Sequence, residues 1–345
     1  MATDDRGAGT VPSASARHGD VPGKLMLAGE YAVVDGGRAV AAAVGSLVRW
    51  SLNEDPDRRG EVTLHAFNST VRWRDGDAAP AGLAGFVAAG LRAAALAGMS
   101  LPGALELTVR TAAGGQKLGL GSSAAVVVAT LRALAEGADR GFDASLLRLA
   151  DEAHREAQGG KGSGYDVYAI GGGGLGLYDR AARSWQPLAW PAGVFGVALY
   201  SGAGADTREA LDGKVRPTTD ELGAIAAACD GLAEALCQGT PKAVLAALAG
   251  CEAAFAAMAA RQPWLSTPAL RAIAALAASH GGVARTSGAG GGDSMVCVFD
   301  DPAARDAAQL AWIRQGGTAV ARLGEDLHSM GATPAHAAAG LEGRR

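Results

Sequence analysis

The sequence has few of the residues that mark disulfide-rich or metal-binding proteins. Only 5% of its 345 residues are aromatic, so a core must be built mainly from alanine, valine and leucine. Its four cysteines form no C-x-x-C pair, and most of them fall within helical or strand-like patterns, which is typical of buried thiols in a reducing compartment. The sequence therefore indicates neither a disulfide framework nor a zinc site at Cys229, Cys237, Cys251 or Cys297.

Targeting, membrane and nucleic-acid signals are also missing. Residues 1–20 lack the apolar core of a signal peptide, and no uncharged apolar run approaches the length that spans a membrane. The net charge of −4 argues against a general nucleic-acid binder. We therefore expect a cytoplasmic monomer or homodimer that binds neither nucleic acid nor membrane, and that concentrates its cations locally if its substrates are anionic.

The length and the hydrophobic periodicity predict two domains of mixed helix and strand. A chain of 345 residues exceeds the usual size of one domain. We expect a disordered tail at 1–20, an N-terminal domain at 21–190, a C-terminal domain at 191–328 and a second tail at 329–345. Apolar runs predict a first hairpin that turns at residues 35–37 and a second that turns at Asn68. Helical spacing recurs at 81–97, 122–136, 143–158, 218–237, 241–260, 267–280 and 302–314.

Glycine is abundant, with 51 residues, and the most informative glycine-rich stretch is GGQKLGLGSSAAVVVA at 114–129. A flexible loop with one lysine leads there into two serines and an apolar helix. Such a helix N-terminus presents unpaired backbone N–H groups and the positive end of the helix dipole. Glycine lets the backbone approach a phosphate closely, so the stretch predicts a phosphate-binding loop.

Two familiar phosphate-binding motifs fit this sequence poorly. The P-loop pattern G-x-x-x-x-G-K-[ST] is missing, because its nearest approach, Gly19 to Lys24, is one residue short. Gly119, Gly121 and Ala124 have the spacing of the dinucleotide fingerprint, but a polar loop separates them from the preceding apolar strand. The dinucleotide interpretation is therefore the weaker one.

Three motifs in order, PGKLMLAGEYAVV at 22–34, KLGLGSSAA at 117–125 and SGAGGGD at 287–293, together resemble the GHMP kinases. The resemblance covers about residues 22–325. It implies an α+β fold in which an ATP-binding N-terminal domain like the second domain of ribosomal protein S5 precedes a ferredoxin-like C-terminal domain. Periodicity alone predicts only a mixture of helices and strands.

Finer details resemble the phosphomevalonate kinases within that family. They are the lysine of KLGLGSSAA, the string AHREAQGGKGSGYDV at 153–167 and the aspartate that closes SGAGGGD. The resemblance implies ATP and Mg²⁺ as cofactors and 5-phosphomevalonate as the acceptor. Mevalonate kinases place a metal-binding glutamate where this sequence aligns His154, so the carboxylate that completes the magnesium site stays unassigned.

The resemblance also implies roles for individual residues. Lys24, Ser123 and Asp166 would be catalytic, with Lys24 stabilising the transferring phosphoryl group. A hydroxyl of Ser122 or Ser123 would ligate Mg²⁺, although serine is also a common N-cap, and the two roles are compatible. The ATP phosphates would be held by Lys117, Gly119, Leu120, Gly121, Ser122, Ser123 and Ala124.

The acceptor is expected between the loops, at Lys24, Lys117, Lys161, Ser163, Gly164, Asp166, Ser287, Gly288, Ala289, Gly290 and Asp293. Lys117 and Lys161 are candidates for binding its phosphate, or else they are surface charges, and Arg208 and Arg285 are weaker candidates. Asp166 would be a general base for an alcohol acceptor. A phosphate monoester, with a second pKa of about 6, is already a dianion at neutral pH, so there Asp166 would mainly orient Lys24 and the substrate.

Three functions remain open. The leading hypothesis is phosphorylation of 5-phosphomevalonate, and its nearest rival is a mevalonate kinase. A catalytically silent ATP or metabolite sensor is a third possibility, against which the joint presence of Lys24, Ser123 and Asp166 argues. Nothing in the sequence favours a diphosphomevalonate decarboxylase.

Overall fold

A computed structural model describes residues 16–78, 81–112, 115–202 and 217–325. Arg208 and the tail predicted at 329–345 lie outside the described residues. Within them the strands form two sheets, and helices pack against both. The prediction of an α+β fold is therefore confirmed.

The first sheet is built around its long second strand. Its strands are β1 (Ala16–Ala28), β2 (Arg38–Asn53), β3 (Glu61–Ala66), β4 (Ser69–Arg74), β5 (Ala104–Val109), β6 (Leu175–Asp179) and β7 (Ser184–Leu188). They lie in the order β4-β3-β5-β2-β6-β7, and β1 pairs along β2. Every pair is antiparallel except β3 with β5. The helices of this domain are α1 (Leu83–Leu96), α2 (Ser122–Gly137), α3 (Ala144–Ala157) and α4 (Tyr165–Gly172).

The second sheet is antiparallel and lies in the order β11-β8-β10-β9. Its strands are β8 (Phe195–Tyr200), β9 (Val283–Thr286), β10 (Ser294–Phe299) and β11 (Thr318–Leu323). The accompanying helices are α5 (Thr219–Gln238), α6 (Pro241–Ala260), α7 (Pro268–Ser279) and α8 (Pro302–Arg314). The predicted domain boundary near residue 190 lies between β7 and β8, the last strand of one sheet and the first of the other.

The two domains share one hydrophobic core, because successive residues of β8 face opposite sides of the second sheet. Val197 and Leu199 pack with α7 and α8 in a small cluster that belongs to the second domain alone. Ala198 and Tyr200 point the other way, into the large cluster that also contains the core of the first domain. Helix α5 contacts β2 directly, and the thiol of its Cys229 donates to the carbonyl oxygen of Arg38.

The structure corrects three local predictions. Strand β1 begins at Ala16, inside the predicted disordered tail, because residues 16–20 pair with the end of β2. The apolar run after Ala28 is not strand, since Tyr31 has a φ of 61° and Ala32–Asp35 is a 3-10 helix. The third difference is an omission, because the sequence analysis did not predict strands β6 and β7. The hairpin through Asn68 is confirmed.

Among the described helices, one, α6, has the length and apolar composition that would allow it to cross a membrane. Here it packs against α5 and β9. Its apolar side chains Val244, Leu248 and Phe255 are buried by that packing.

A buried ion pair ties the two domains together. Arg285 of β9, whose side chain is 1% exposed, pairs with Glu30, which follows β1, and with Glu252 of α6 at 2.9 Å. Its Nε also donates to the carbonyl oxygen of Leu27 at 3.0 Å. Burial alone would lower the pKa of Arg285, but the carboxylates of Glu30 and Glu252 raise it, so the guanidinium stays charged. Arg285 is therefore fully engaged and is not the phosphate ligand that the sequence analysis suggested.

Replacing Arg285 with methionine is expected to lower the free energy of unfolding by about 3–5 kcal/mol, because it leaves the carboxylate of Glu30 buried without its partner. The measurement is urea unfolding followed by circular dichroism. A matched control is Arg49→Met, which removes an exposed arginine 3.5 Å from Asp20 and should cost about 1 kcal/mol or less. Equal losses for the two variants would contradict a structural role for the buried pair.

Candidate active site

A cleft of about 340 Å³ opens between the two domains and collects most of the predicted site residues. Strand β1, the N-termini of α1, α2 and α4, and the loop between β9 and β10 all contribute to its walls. The predicted residues that line it are Lys24, Lys117, Gly119, Leu120, Gly121, Ser122, Ser123, Ser163, Asp166, Gly288, Ala289 and Asp293.

Five predicted residues do not line the cleft. Ala124 is fully buried within α2, and Lys161 is exposed outside the cleft wall. The others shape the loops: Gly164 is the N-cap of α4, the Ser287 hydroxyl accepts from the backbone N–H of Met26, and Gly290 packs against Phe255. These five residues therefore do not share the cleft wall with the other predicted residues.

The predicted phosphate loop has the geometry of an anion site. Gly119 and Gly121 have φ values of 73° and 81°, in the left-handed region that favours glycine. Gly121 is the N-cap of α2, and no side chain caps this helix end. Ser122 and Ser123 are thus the first helical residues and not the cap. The backbone N–H groups of the first turn are left to a ligand, which the helix dipole favours if it is anionic.

Lys24 is held beside that loop from β1. Its side chain is buried, its backbone N–H donates to the carbonyl oxygen of Leu120 at 2.9 Å, and its Nζ donates to that of Gly119 at 3.4 Å. Burial alone would lower the pKa of Lys24, but Tyr165, Asp166 and Asp293 together raise it above its ordinary value. Lys24 is therefore a cation at neutral pH.

Asp166 lies in the first turn of α4, which also has a glycine N-cap and no side-chain cap. Its Oδ1 accepts from the backbone N–H of Val167 at 3.0 Å. Its Oδ2 lies 3.8 Å from Nε2 of His154, and the same nitrogen lies 3.1 Å from the Ser123 hydroxyl. His154 thus connects the two helix ends that carry Ser123 and Asp166.

The loop before α4 is held from behind by two side chains of the first domain. The Tyr178 hydroxyl donates to the carbonyl oxygen of Ser163 at 3.0 Å. Arg180 Nη1 donates to that of Gly162 at 2.7 Å. These bonds fix the backbone that carries Ser163 and Asp166 into the cleft.

The third glycine motif closes the cleft from the second domain. The Tyr31 hydroxyl donates to the carbonyl oxygen of Ala289 at 2.5 Å, and the Ser294 hydroxyl donates to that of Leu118 at 3.3 Å. Asp293 has a φ of 58°, which is uncommon for a residue with a side chain and is often found at functional sites. A Cβ added to Gly119 would lie 2.5 Å from Cγ of Asp293, so the two loops are in close contact.

Several residues that line the cleft were missed by the sequence analysis. Glu30, Tyr31 and Tyr165 lie within the motifs that it quoted, so their positions carried a usable signal. Arg110 follows an ordinary strand and carried none. One part of the cleft wall is apolar, and it is formed by Leu47, Phe67, Leu83 and Phe86.

The donor set of the cleft suits Mg²⁺ only if a bound ligand shares it. The hydroxyls of Ser122 and Ser123 and the carboxylates of Asp166 and Asp293 are oxygen donors, which Mg²⁺ prefers. In the described part of the chain, no group of three or more His, Cys, Asp or Glu side chains is arranged to hold a metal. The residues therefore fit a metal ion that is bound together with phosphate oxygens.

Replacing Gly119 with alanine is expected to weaken ATP binding about tenfold or more. The substitution adds about 1–2 kcal/mol of left-handed strain at a φ of 73° and forces Asp293 away from the loop. The measurement is calorimetric titration with a non-hydrolysable ATP analogue and Mg²⁺. Gly98→Ala is the control, because Gly98 has a φ of 76° but no atom within 4 Å of the added Cβ. Unchanged affinity in Gly119→Ala would contradict close contact with a ligand.

Both domains match a known family. Residues 86–174 match the GHMP kinases N terminal domain, and residues 232–318 match the GHMP kinases C terminal domain. The phosphomevalonate kinase of Streptomyces sp. (strain CL190) is 30% identical over 344 residues, which cover 83% of this chain and 90% of that protein.

Solved structures share the fold. The Streptococcus pneumoniae phosphomevalonate kinase in complex with phosphomevalonate and AMPPNP has a TM-score of 0.75 at 20% identity, covering 89% of this chain and 99% of that chain. The Methanococcus jannaschii mevalonate kinase has a TM-score of 0.71 at 16% identity, covering 90% and 98%. With both domains matched and a relative at 30% identity, this chain belongs to the GHMP kinase family.

Proposed function

We propose that this GHMP kinase transfers the γ-phosphoryl group of ATP to the phosphate of 5-phosphomevalonate, with Mg²⁺ as its metal. The product, 5-diphosphomevalonate, would serve isoprenoid synthesis in the cytoplasm. The observation that carries the proposal is the place of Lys24, a buried cation that contacts the phosphate loop and lies beside Asp166. Phosphoryl transfer depends mainly on positioning and on neutralising charge, and this arrangement supplies both.

The donor half of the cleft fits a nucleoside triphosphate. The uncapped first turn of α2 offers backbone N–H groups to the phosphates. The apolar wall, which includes Leu47 and Phe67, suits a flat nucleobase. Lys117 Nζ lies 5.8 Å from the centre of the Phe67 ring, so this cation lies close to the apolar wall.

A phosphorylated acceptor is supported by the relative at 30% identity, which is a phosphomevalonate kinase. The cations Lys24, Arg110 and Lys117 all line the cleft and can balance the charge of two phosphate-bearing ligands. Lys161 is exposed outside the cleft wall, so Lys117 is the stronger candidate for the acceptor phosphate.

In the proposed reaction an oxygen of the acceptor phosphate attacks the γ-phosphorus, and the bond from the γ-phosphorus to the β,γ-bridging oxygen breaks to release ADP. Lys24 stabilises the negative charge on the transferring group, and the N–H groups of α2 hold the donor phosphates. The acceptor is already a dianion, so Asp166 has no proton to remove and serves to orient Lys24 and the acceptor. The hydroxyl of Ser122 or Ser123 would hold Mg²⁺, which would supply positive charge that offsets part of the charge of the phosphates.

The proposal is tested by ADP release with ATP and Mg²⁺, measured in parallel with mevalonate and with 5-phosphomevalonate. Turnover with 5-phosphomevalonate alone would support it, and EDTA should abolish that turnover. Turnover with mevalonate would identify a mevalonate kinase, the function of another relative of the same fold. Nucleotide binding without turnover of either acceptor would identify a silent sensor.

Replacing Lys24 with methionine is expected to lower kcat by about 10²–10³-fold, the usual effect of removing a group that stabilises charge in the transition state. Asp166→Asn should lower kcat by less than about 10²-fold with 5-phosphomevalonate, since a general base typically contributes 10²–10⁴-fold. Both values come from steady-state kinetics.

Asp220→Asn is the control for a purely structural role of Asp166, because Asp220 is also a first-turn acid of a helix, α5. That variant should keep full activity and lose at most about 1 kcal/mol of stability. A loss of about 10²-fold or more in Asp166→Asn, which is the usual contribution of a general base, would contradict the role proposed here.

A further inference from the structure

We propose that His154 is a positioning residue for phosphoryl transfer, in that its buried imidazole fixes the Ser123 hydroxyl and holds the donor and acceptor halves of the cleft in register. The proposal rests on the proposed function for its kinetic consequences. Its effect on nucleotide binding can be tested without any acceptor.

His154 is packed as a rigid element. It lies in the last turn of α3 and is 2% exposed. Its ring packs against that of Phe86 of α1, with the ring centres 5.3 Å apart and the planes tilted by 37°. An imidazole held in this way has little freedom to rotate, so the atoms that it bonds are also fixed.

One ring nitrogen of His154 faces two oxygens from different helices. Nε2 lies 3.1 Å from Oγ of Ser123, in the first turn of α2, and 3.8 Å from Oδ2 of Asp166, in the first turn of α4. Two facing oxygens favour the tautomer with hydrogen on Nε2, which then donates to the hydroxyl. The other lone pair and the hydrogen of Ser123 remain for groups in the cleft.

Without His154 the Ser123 hydroxyl would lose this orientation. A serine at a helix end readily bonds to nearby backbone groups, and that alternative would turn the oxygen away from the cleft. Asp166 would lose the imidazole nitrogen that lies 3.8 Å from its Oδ2. His154 does not itself line the cleft, so it acts through Ser123 and Asp166.

The kinetic test compares His154→Leu with His154→Gln. Leucine keeps an apolar side chain against Phe86 but has no donor, whereas glutamine places an amide N–H near the position of Nε2. Misplacing a reacting group by about 1 Å can cost about 10²-fold in rate. We therefore expect kcat to fall about 30–100-fold in His154→Leu, with KM for 5-phosphomevalonate within about threefold, and to stay within about fivefold of wild type in His154→Gln.

A double-mutant cycle tests whether His154 acts through Ser123. The further loss of kcat on adding His154→Leu to Ser123→Ala should be much smaller than the roughly 30–100-fold loss that His154→Leu causes alone, because the hydroxyl that His154 positions is already gone. Losses that multiply would overturn the proposal. So would equal losses of kcat in His154→Leu and His154→Gln, since the donor would then be irrelevant.

A binding measurement keeps the proposal separate from the choice of acceptor. AMPPNP is titrated into the protein once in the presence of Mg²⁺ and once in the presence of EDTA. The ratio of the two affinities is the gain in affinity due to the metal. We expect His154→Leu to lose most of that gain and His154→Gln to keep it, whether or not 5-phosphomevalonate is the substrate. An undiminished gain in His154→Leu would overturn the proposal. If that variant does not fold, His154→Asn, which is too short to reach Ser123, takes its place.

Discussion

The buried ion pair between Arg285 and Glu30 joins the two domains at the wall of the cleft, and the geometry of the site depends on it. Arg285 comes two residues before the loop 287–293, which carries Asp293 against Gly119. Buried ion pairs add little net stability but are costly to break. The value of this one therefore lies in fixing where the second domain docks, and thereby how closely its glycine loop approaches the phosphate loop of the first.

The N-termini of the helices show how a protein with a net negative charge can form a site for anions. Side chains cap α3, α5, α7 and α8, which begin away from the cleft, whereas α6 has no side-chain cap and begins with Pro241, which has no N–H. The N-termini of α1, α2 and α4 meet at the cleft, and each begins after a glycine with no side-chain cap, at Gly82, Gly121 and Gly164. Backbone N–H groups without a hydrogen-bond partner lower the stability of the protein unless a ligand or water binds them. Their convergence at one place is therefore consistent with a ligand that supplies several anionic oxygens.

The sequence predicted the fold class and several residues of the cleft wall better than it predicted the contacts around them. Lys24, Ser123 and Asp166 were identifiable because each belongs to a motif whose spacing is local. The contacts of Arg285 and His154 could not be identified from the sequence, since a buried ion pair and a hydrogen bond between helices depend on residues far apart in sequence. The predicted start of β1 was too late in the sequence because Ala16–Asp20 is polar. The pairing of this segment with β2 is a tertiary effect that strand propensity does not show.

Kinases with different acceptors share this fold, so the choice of acceptor must lie in the side chains of the cleft. The cations Lys24, Arg110 and Lys117 line the same space as the carboxylates of Asp166 and Asp293, so the opposite charges nearly balance. Glu30 also lines it, but its charge is offset by Arg285. ATP adds negative charge to that balance, which a divalent cation offsets in part. Under the proposed function, a second phosphate-bearing ligand therefore depends on the divalent cation, because ATP without it would leave the cleft more strongly negative. The carboxylates on the cleft wall offset much of the positive charge of Lys24, Arg110 and Lys117, which keeps the empty cleft from being a strong anion site by itself.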